Sequence, residues 1–262
     1  MPRTGQPAIR LVSSVQRACA VIDTLAAANG ELGTNEIARR TGVNPSTVSR
    51  LLATLVAGGL VEHLPETGRY RLGPRLVQLG NVVLARLDLR QIARPHLHAL
   101  VDSTGETATL STEGDRDAVT VDFVQSPFSV QGVAQLGRPS IAHATATGKV
   151  LLAFGRLPLP PAPLKSYTTR TITKRSELAA ELDTIRERGY AYNFGEREDD
   201  LHAVAAPVWG SHGELAAIIG VQGPASRFQR EAMDAAVEQL LEHAREVSLE
   251  LGWTGLVTAA VR

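Results

Sequence analysis

Apolar residues in the first quarter of the chain recur three and four apart. Val15, Ala18, Cys19, Ile22, Leu25 and Ala26 share this spacing and predict a helix over residues 14–28, ended by Asn29-Gly30. Cys19 falls on its apolar stripe and reads as a small core residue. Thr34 is placed to cap a second helix running to about Arg40, and Gly42 to supply a tight turn. Asn44 then caps a third helix, with Pro45 at its first position, where a missing N–H costs nothing. Val48, Leu51, Leu52 and Leu55 form the inward face of that helix, and Ser46, Thr47, Ser49 and Arg50 face out. Gly58-Gly59 stops it. Short strands follow at residues 60–64 and 70–72, around the turn Glu66-Thr67-Gly68, where glycine suits a positive φ.

Gly73-Pro74 breaks the pattern, and a helix over residues 75–87 reads as a connector, with Leu76, Leu79, Gly80, Val83 and Leu87 on one face. Another helix fits residues 89–103, closed by Gly105. From there the period changes. Strands are expected at 107–113 and 118–125, with a third at 130–136. A helix over 144–154, a proline-rich loop at 157–163 and a helix over 176–188, capped by Ser176 and stopped by Gly189, come next. Two strands at 203–209 and 215–222 and a long closing helix at 227–251 complete the chain. Strands and helices alternate without a strict βαβ rhythm, so the class is α+β with an antiparallel sheet. The expected domains are residues 12–74, a linker helix at 75–88 and a second domain at 89–253.

Composition alters this picture little. The chain has 262 residues, 44% of them apolar, ordinary for a globular protein of one or two domains. No apolar run is long enough to span a bilayer, and residues 1–10 lack a signal-peptide core, so a cytoplasmic protein without a membrane partner is expected. The single cysteine rules out an intrachain disulfide. Charge is more informative. Residues 1–75 carry nine Arg, no Lys and five acidic side chains, a net of +4, while the remainder has a net of −4. The basic part is the part with the three-helix pattern, as phosphate binding requires.

A short helix, a Gly turn, a second helix with a small polar leading edge and a basic hairpin together read as a winged helix-turn-helix. The bland alternative is a plain three-helix core with a solvated face. Residues that open a reading helix must be small or able to hydrogen-bond bases, and Asn44, Ser46, Thr47 and Arg50 satisfy this. Arg39, Arg40, Arg69 and Arg71 are better placed for phosphates or the minor groove.

At this point the chain resembles the IclR-type bacterial transcriptional regulators. The likeness rests on Ser14-Val15-Gln16-Arg17-Ala18, on the Glu36-Ile37-Ala38 to Ser46-Thr47-Val48-Ser49-Arg50-Leu51-Leu52 core, and on Gly68-Arg69-Tyr70-Arg71-Leu72-Gly73. It returns at Gly137-Arg138-Pro139, through His143-Ala144-Thr145-Ala146-Thr147-Gly148-Lys149, and at Gly189-Tyr190-Ala191, Ala205-Ala206-Pro207-Val208 and Gly223-Pro224. The resemblance implies a winged helix-turn-helix, a linker helix and a C-terminal effector-binding domain similar to a GAF fold. It also implies a homodimer or homotetramer on double-stranded palindromic operators, a small organic acid or aromatic catabolite as effector, and repression rather than activation.

In that frame the effector pocket falls at residues 143–148, which open a helix whose free N–H groups and dipole favour a carboxylate. His143, Thr145 and Thr147 are the expected contacts there, against the alternative of small residues kept for close packing. The opposite wall is expected from residues 193–198 with Phe194 and Glu196, and from Ala203, Gly220 and Gln222 on the strands. Gln222 either bonds a ligand or the sheet edge. This chain departs from the family pattern at Phe194, where an acidic residue is frequent, at Gly195-Glu196, a reduced acidic pair, and at Asp200, where a Gly is expected.

Enzyme readings fare worse, and neither a cofactor nor a metal is expected. His96 and His98 are two apart, on opposite sides of a helix, so they make no metal pair. Gly148-Lys149 lacks the P-loop Ser or Thr, and Ser111, Ser129 and Ser140 lack the Gly-x-Ser-x-Gly setting. Glu198-Asp199-Asp200, with His202 nearby, reads as a solvated charge run. The competing class is a ligand sensor or enzyme whose winged helix serves protein contacts.

Overall fold

The computed structural model describes residues 11–28, 30–84, 88–132 and 134–255. The chain divides into two compact units, residues 1–86 and 87–262.

In the first unit, α1 (Ser13–Ala26), α2 (Thr34–Thr41) and α3 (Pro45–Ala57) surround a small core of Val21, Leu25, Leu32, Ile37, Val48, Leu52, Leu55 and Val61. The expected stripe of α1 is rotated. Val21 and Leu25 are buried, while Val15 and Cys19 are exposed, so Cys19 is not a core residue. Val21 lies four before Leu25 and completes the same 3.6-residue period one position away from the expected stripe. Thr34 does not cap α2 either: Gly33 occupies the cap position without a side-chain bond. Gly42 ends α2 in the left-handed region at φ 66°.

The start of α3 is as expected. Asn44 Oδ1 accepts from the Ser46 backbone N–H at 2.9 Å, and Pro45 takes the first turn. β1 (Val61–Leu64) and β2 (Arg69–Leu72) form the antiparallel wing around Gly68, and an isolated bridge from Leu32 to Tyr70 ties it to the segment before α2. A Cβ on Gly73 would lie 2.3 Å from the Gly59 carbonyl oxygen, so only glycine lets the wing return this closely to the end of α3. Arg75 donates to the Gly58 carbonyl at 2.7 Å from the start of α4 (Arg75–Leu84). The end of the expected linker helix, residues 85–87, lies outside the described residues.

The second unit opens with α5 (Leu89–Thr104), capped by Asp88 and closed by Gly105. β3 (Thr107–Glu113), β4 (Ala118–Val124), β5 (Pro139–Ser140), α6 (Ala146–Phe154), α7 (Arg175–Arg188), β6 (Ala191–Phe194), β7 (Leu201–Trp209), β8 (Leu215–Pro224) and α8 (Arg230–Glu250) follow. Six antiparallel strands run in the order β5-β4-β3-β8-β7-β6. This is the antiparallel α+β class that the sequence predicts. The described residues of the segment 130–136 form no strand, and β5 supplies the edge instead. β6 is a strand that the sequence reading leaves out. Ser176 does not cap α7, whose cap position is Lys174.

Both faces of the sheet are covered, as the alternation along β7 requires. Val204, Ala206 and Val208 face the core formed with α5 and α8, around Leu97, Leu100, Met233 and Leu240. Ala205 and, on β8, Ile218 face a second core with α6 and α7, around Val150, Leu151, Leu178 and Ile185. Among the described residues no helix is long and apolar enough to cross a membrane.

Candidate functional sites

The first candidate site is the outer face of α3 with its surroundings. Arg50 and Ser46 are exposed and Thr47 is half-buried, one turn from the capped N-terminus. Asn44 and Ser46 are partly committed to the cap, since Ser46 Oγ also donates to Asn44 Oδ1 at 2.8 Å. The arginines around the helix are held by the unit itself. Arg40 pairs with Glu36 at 2.6 Å, while Arg39 reaches the same carboxylate only at 4.0 Å. On the wing, Arg69 donates to the Glu31 carbonyl at 2.8 Å and Arg71 to Glu62 at 2.8 Å. The three ion pairs and the Arg69 bond are solvent-exposed, and exposed ion pairs contribute ~0–1 kcal/mol, so a phosphate can replace them at little cost.

The second candidate site is a cavity of about 60 Å³ in the second unit. Every strand of the sheet contributes to its wall: Thr109, Thr120, Ser140, Asn193, Ala203 and Gln222 come from β3, β4, β5, β6, β7 and β8 in turn. The N-terminus of α6 closes another side with Thr145, Ala146 and Thr147. Arg138, Arg197, Glu198 and Leu201 complete the rim.

The local chemistry explains this placement. Thr145 caps α6, accepting from the Gly148 N–H at 3.0 Å while donating to the Ile141 carbonyl at 3.0 Å. Gly148 is packed so closely that a Cβ would lie 2.4 Å from the Ile141 carbonyl oxygen. Asn193 clamps the turn to β6: its amide donates to the Ala144 carbonyl at 2.7 Å, and its Oδ1 accepts from Gly195 and Glu196 N–H groups. Arg138 is bonded to Glu198, and Arg197 donates to the Pro139 carbonyl at 2.8 Å. Burial and, next, the neighbouring Arg138 charge lower the Arg197 pKa from its ordinary value. The rim carries two arginines against one carboxylate, Glu198.

Of the eight expected effector contacts, Thr145, Thr147, Ala203 and Gln222 line this cavity. Gly220 lies just behind it, where a Cβ would stand 3.1 Å from Thr109 Oγ1 and 3.5 Å from Thr147 Oγ1. His143, Phe194 and Glu196 are directed elsewhere. His143 Nε2 is bonded to the Lys165 carbonyl at 2.8 Å and its ring lies against Tyr167. Phe194 packs against Tyr192 and His202. Glu196 is buried against Lys149 Nζ at 2.6 Å. The reason is strand geometry: neighbouring residues project to opposite faces, so Asn193 reaches the cavity and Phe194 does not. Thr109, Thr120 and Arg197 carried no signal in the sequence, because only strand pairing brings them together.

The acidic run is also resolved by its contacts. Glu198 faces Arg138 and Arg197, whereas His202 Nδ1 meets the Phe228 carbonyl at 2.9 Å, so they form no joint metal site.

A capped helix behind a glycine turn, with a wing beside it, makes the first unit a winged helix-turn-helix, the architecture of a DNA-binding transcriptional regulator. Comparison with known proteins narrows the class. Residues 14–65 match the IclR helix-turn-helix domain, and residues 81–249 match the bacterial transcriptional regulator IclR C-terminal domain. The chain belongs to the IclR family. It is 32% identical to the HTH-type transcriptional regulator XynR of Escherichia coli, over 93% of this chain and 98% of XynR. It is 34% identical to the HTH-type transcriptional regulator BhcR of Paracoccus denitrificans, over 90% of this chain and 86% of BhcR. Among solved structures, Pseudomonas aeruginosa HmgR superposes with a TM-score of 0.80 at 29% identity, covering 94% of this chain and all (100%) of HmgR.

Proposed function

We propose that this regulator's operator affinity is set by a small carboxylate bound in the cavity at the start of α6. The cavity itself carries the reading: the Thr147 hydroxyl and the N-terminus of α6 face a rim with Arg138 and Arg197, a setting that favours an anion. Its volume of about 60 Å³ suits a compact acid rather than a large aromatic. At about 10–15 Å³ per water-sized position, it holds roughly four to six non-hydrogen atoms.

Two copies of the chain are expected on a palindromic operator. Val12 and Val15 at α1, and Val77, Leu79 and Val82 along α4, are exposed in the single chain and suit burial against a second copy. Repression is the favoured direction, since the relatives include the transcriptional repressor IclR of Escherichia coli and the acetate operon repressor of Salmonella typhimurium. The α3 face with Asn44, Ser46, Thr47 and Arg50 reads bases, and Arg39, Arg40, Arg69 and Arg71 meet the backbone.

The test is operator binding by gel shift across a panel of two- to four-carbon monocarboxylates. At least one is expected to change affinity 5- to 150-fold, the usual span of allosteric coupling. Thr147→Val and Gln222→Leu should abolish the response while leaving ligand-free operator affinity in place. If no carboxylate changes operator affinity, the reading fails.

A further inference from the structure

We propose a divalent transition-metal site between α5 and α8, formed by His96, His243 and Glu246 and distinct from the cavity. The two helices pack side by side over one face of the sheet, with Ala93, Leu97 and Leu100 against Leu240, Ala244 and Val247. At the edge of this seam three ligand-type atoms converge. His96 Nδ1 and His243 Nδ1 are 3.1 Å apart. Glu246 Oε2 lies 3.4 Å from each of them. Tetrahedral coordination with bonds of about 2.0–2.1 Å sets neighbouring ligand atoms about 3.3 Å apart. The triangle therefore already has the dimensions of one face of such a site.

A fourth residue fixes the chemistry. Glu250 Oε1 lies 3.2 Å from His96 Nε2. A ring nitrogen facing a carboxylate carries the proton, which leaves Nδ1 of the neutral ring as a lone pair. That lone pair faces the Glu246 carboxylate oxygen and the His243 ring nitrogen together. A proton on His243 Nδ1 can bridge two of these atoms, whereas a divalent cation would engage all three. A carboxylate holding the far nitrogen of a ligating histidine is also the usual support of a bound metal. Helix geometry assists: His243 and Glu246 are three apart on α8, and Glu250 lies one turn beyond, so all three share a face.

Two imidazoles and one carboxylate suit Zn²⁺, with Ni²⁺ or Co²⁺ as substitutes, and three protein ligands leave a fourth position for water. A metal here would join the first helix of the unit to its last. His98, two residues from His96, is exposed on another face of α5 and takes no part.

The experiment uses the full chain, stripped with a chelator, equilibrated with Zn²⁺ alone and desalted. One Zn²⁺ per chain is expected by elemental analysis, with a rise in Tm, and Co²⁺ should give the intense visible absorption of four-coordinate cobalt. His96→Ala and His243→Ala should each reduce retained zinc to background, and His98→Ala should retain it. Glu250→Gln should weaken affinity about 10- to 100-fold. Should the histidine variants not fold, Glu246→Gln at the exposed edge of the site gives the same reading, with circular dichroism confirming the fold. Substoichiometric zinc in the wild-type chain, or full zinc in the folded His96→Ala, His243→Ala or Glu246→Gln variant, would overturn the proposal.

Discussion

In the first unit the residues proposed to read DNA stand outside a small apolar core, whereas in the second unit polar groups lie buried within the fold. Arg50 and Ser46 are exposed, and their helix would keep its core without them. Thr109 and Asn193 of the cavity wall are buried, as is the separate pair Lys149 and Glu196, and each is bonded to neighbouring groups of the same unit. A reading surface can therefore vary without disturbing its scaffold. A pocket cannot, because a buried polar group that loses its partner retains its full desolvation cost.

The largest expected effect comes from breaking the buried polar side of this contrast. Lys149→Ala leaves Glu196 buried without its cation, and removal of one partner of a buried pair costs about 3–5 kcal/mol. Chemical denaturation should show the loss in the second unit, with the α3 face still binding operator in whatever fraction stays folded. A loss below 1 kcal/mol would show that the pair is not truly desolvated.

Arg50→Ala with Thr47→Ala tests the other side. Each base contact removed should cost about 1–3 kcal/mol in operator binding. Stability should change by no more than about 0.5 kcal/mol, as for exposed positions generally. Specific binding that survives both changes would refute the assignment of α3 as the reading helix and favour a protein-contact role for the wing.

Asn44 belongs to both categories, since it caps α3 and is among the residues proposed to read bases. Asn44→Ala should cost about 1 kcal/mol of stability through the lost cap, measured by thermal melting. Asn44→Asp, which keeps the cap, should restore the stability and so separate the two roles.

The smallest effect is a slope. Burial raises the Glu196 pKa above its ordinary value of 4.5, against the lowering effect of Lys149. A carboxyl with a raised folded pKa contributes stability that is full below about pH 4.5 and is lost as pH rises through the folded value. Wild-type Tm should therefore carry a downward component with rising pH above 4.5 that Glu196→Gln lacks. Parallel Tm profiles for the two proteins would show that burial of Glu196 has no net effect on its titration.

Much of the first unit follows from local pattern. The turn at Gly42, the Asn44 cap, Pro45 and the spacing of Val48, Leu52 and Leu55 each act over a few residues, and all agree with the structure. The local signal failed where it was one-sided. Cys19 lies at helical spacing from Val15 and Ile22, yet the stripe that packs runs through Val21 and Leu25, because the facing residues of α2 and α3 select the face. Ser176 has the chemistry of a cap, but α7 begins one residue earlier.

The sequence by itself determined the helix-turn-helix, its basic charge, the antiparallel α+β class and the position of the α6 N-terminus, since these depend on nearest neighbours along the chain. Tertiary structure alone decided that Thr109, Thr120 and Arg197 meet Thr145 and Gln222 across six strands, and that Phe194 turns away from them. It also decided that Lys149 pairs with Glu196, and that His96 meets not His98 but His243, 147 residues away. Such pairings are set by strand register and helix packing, which no local period encodes.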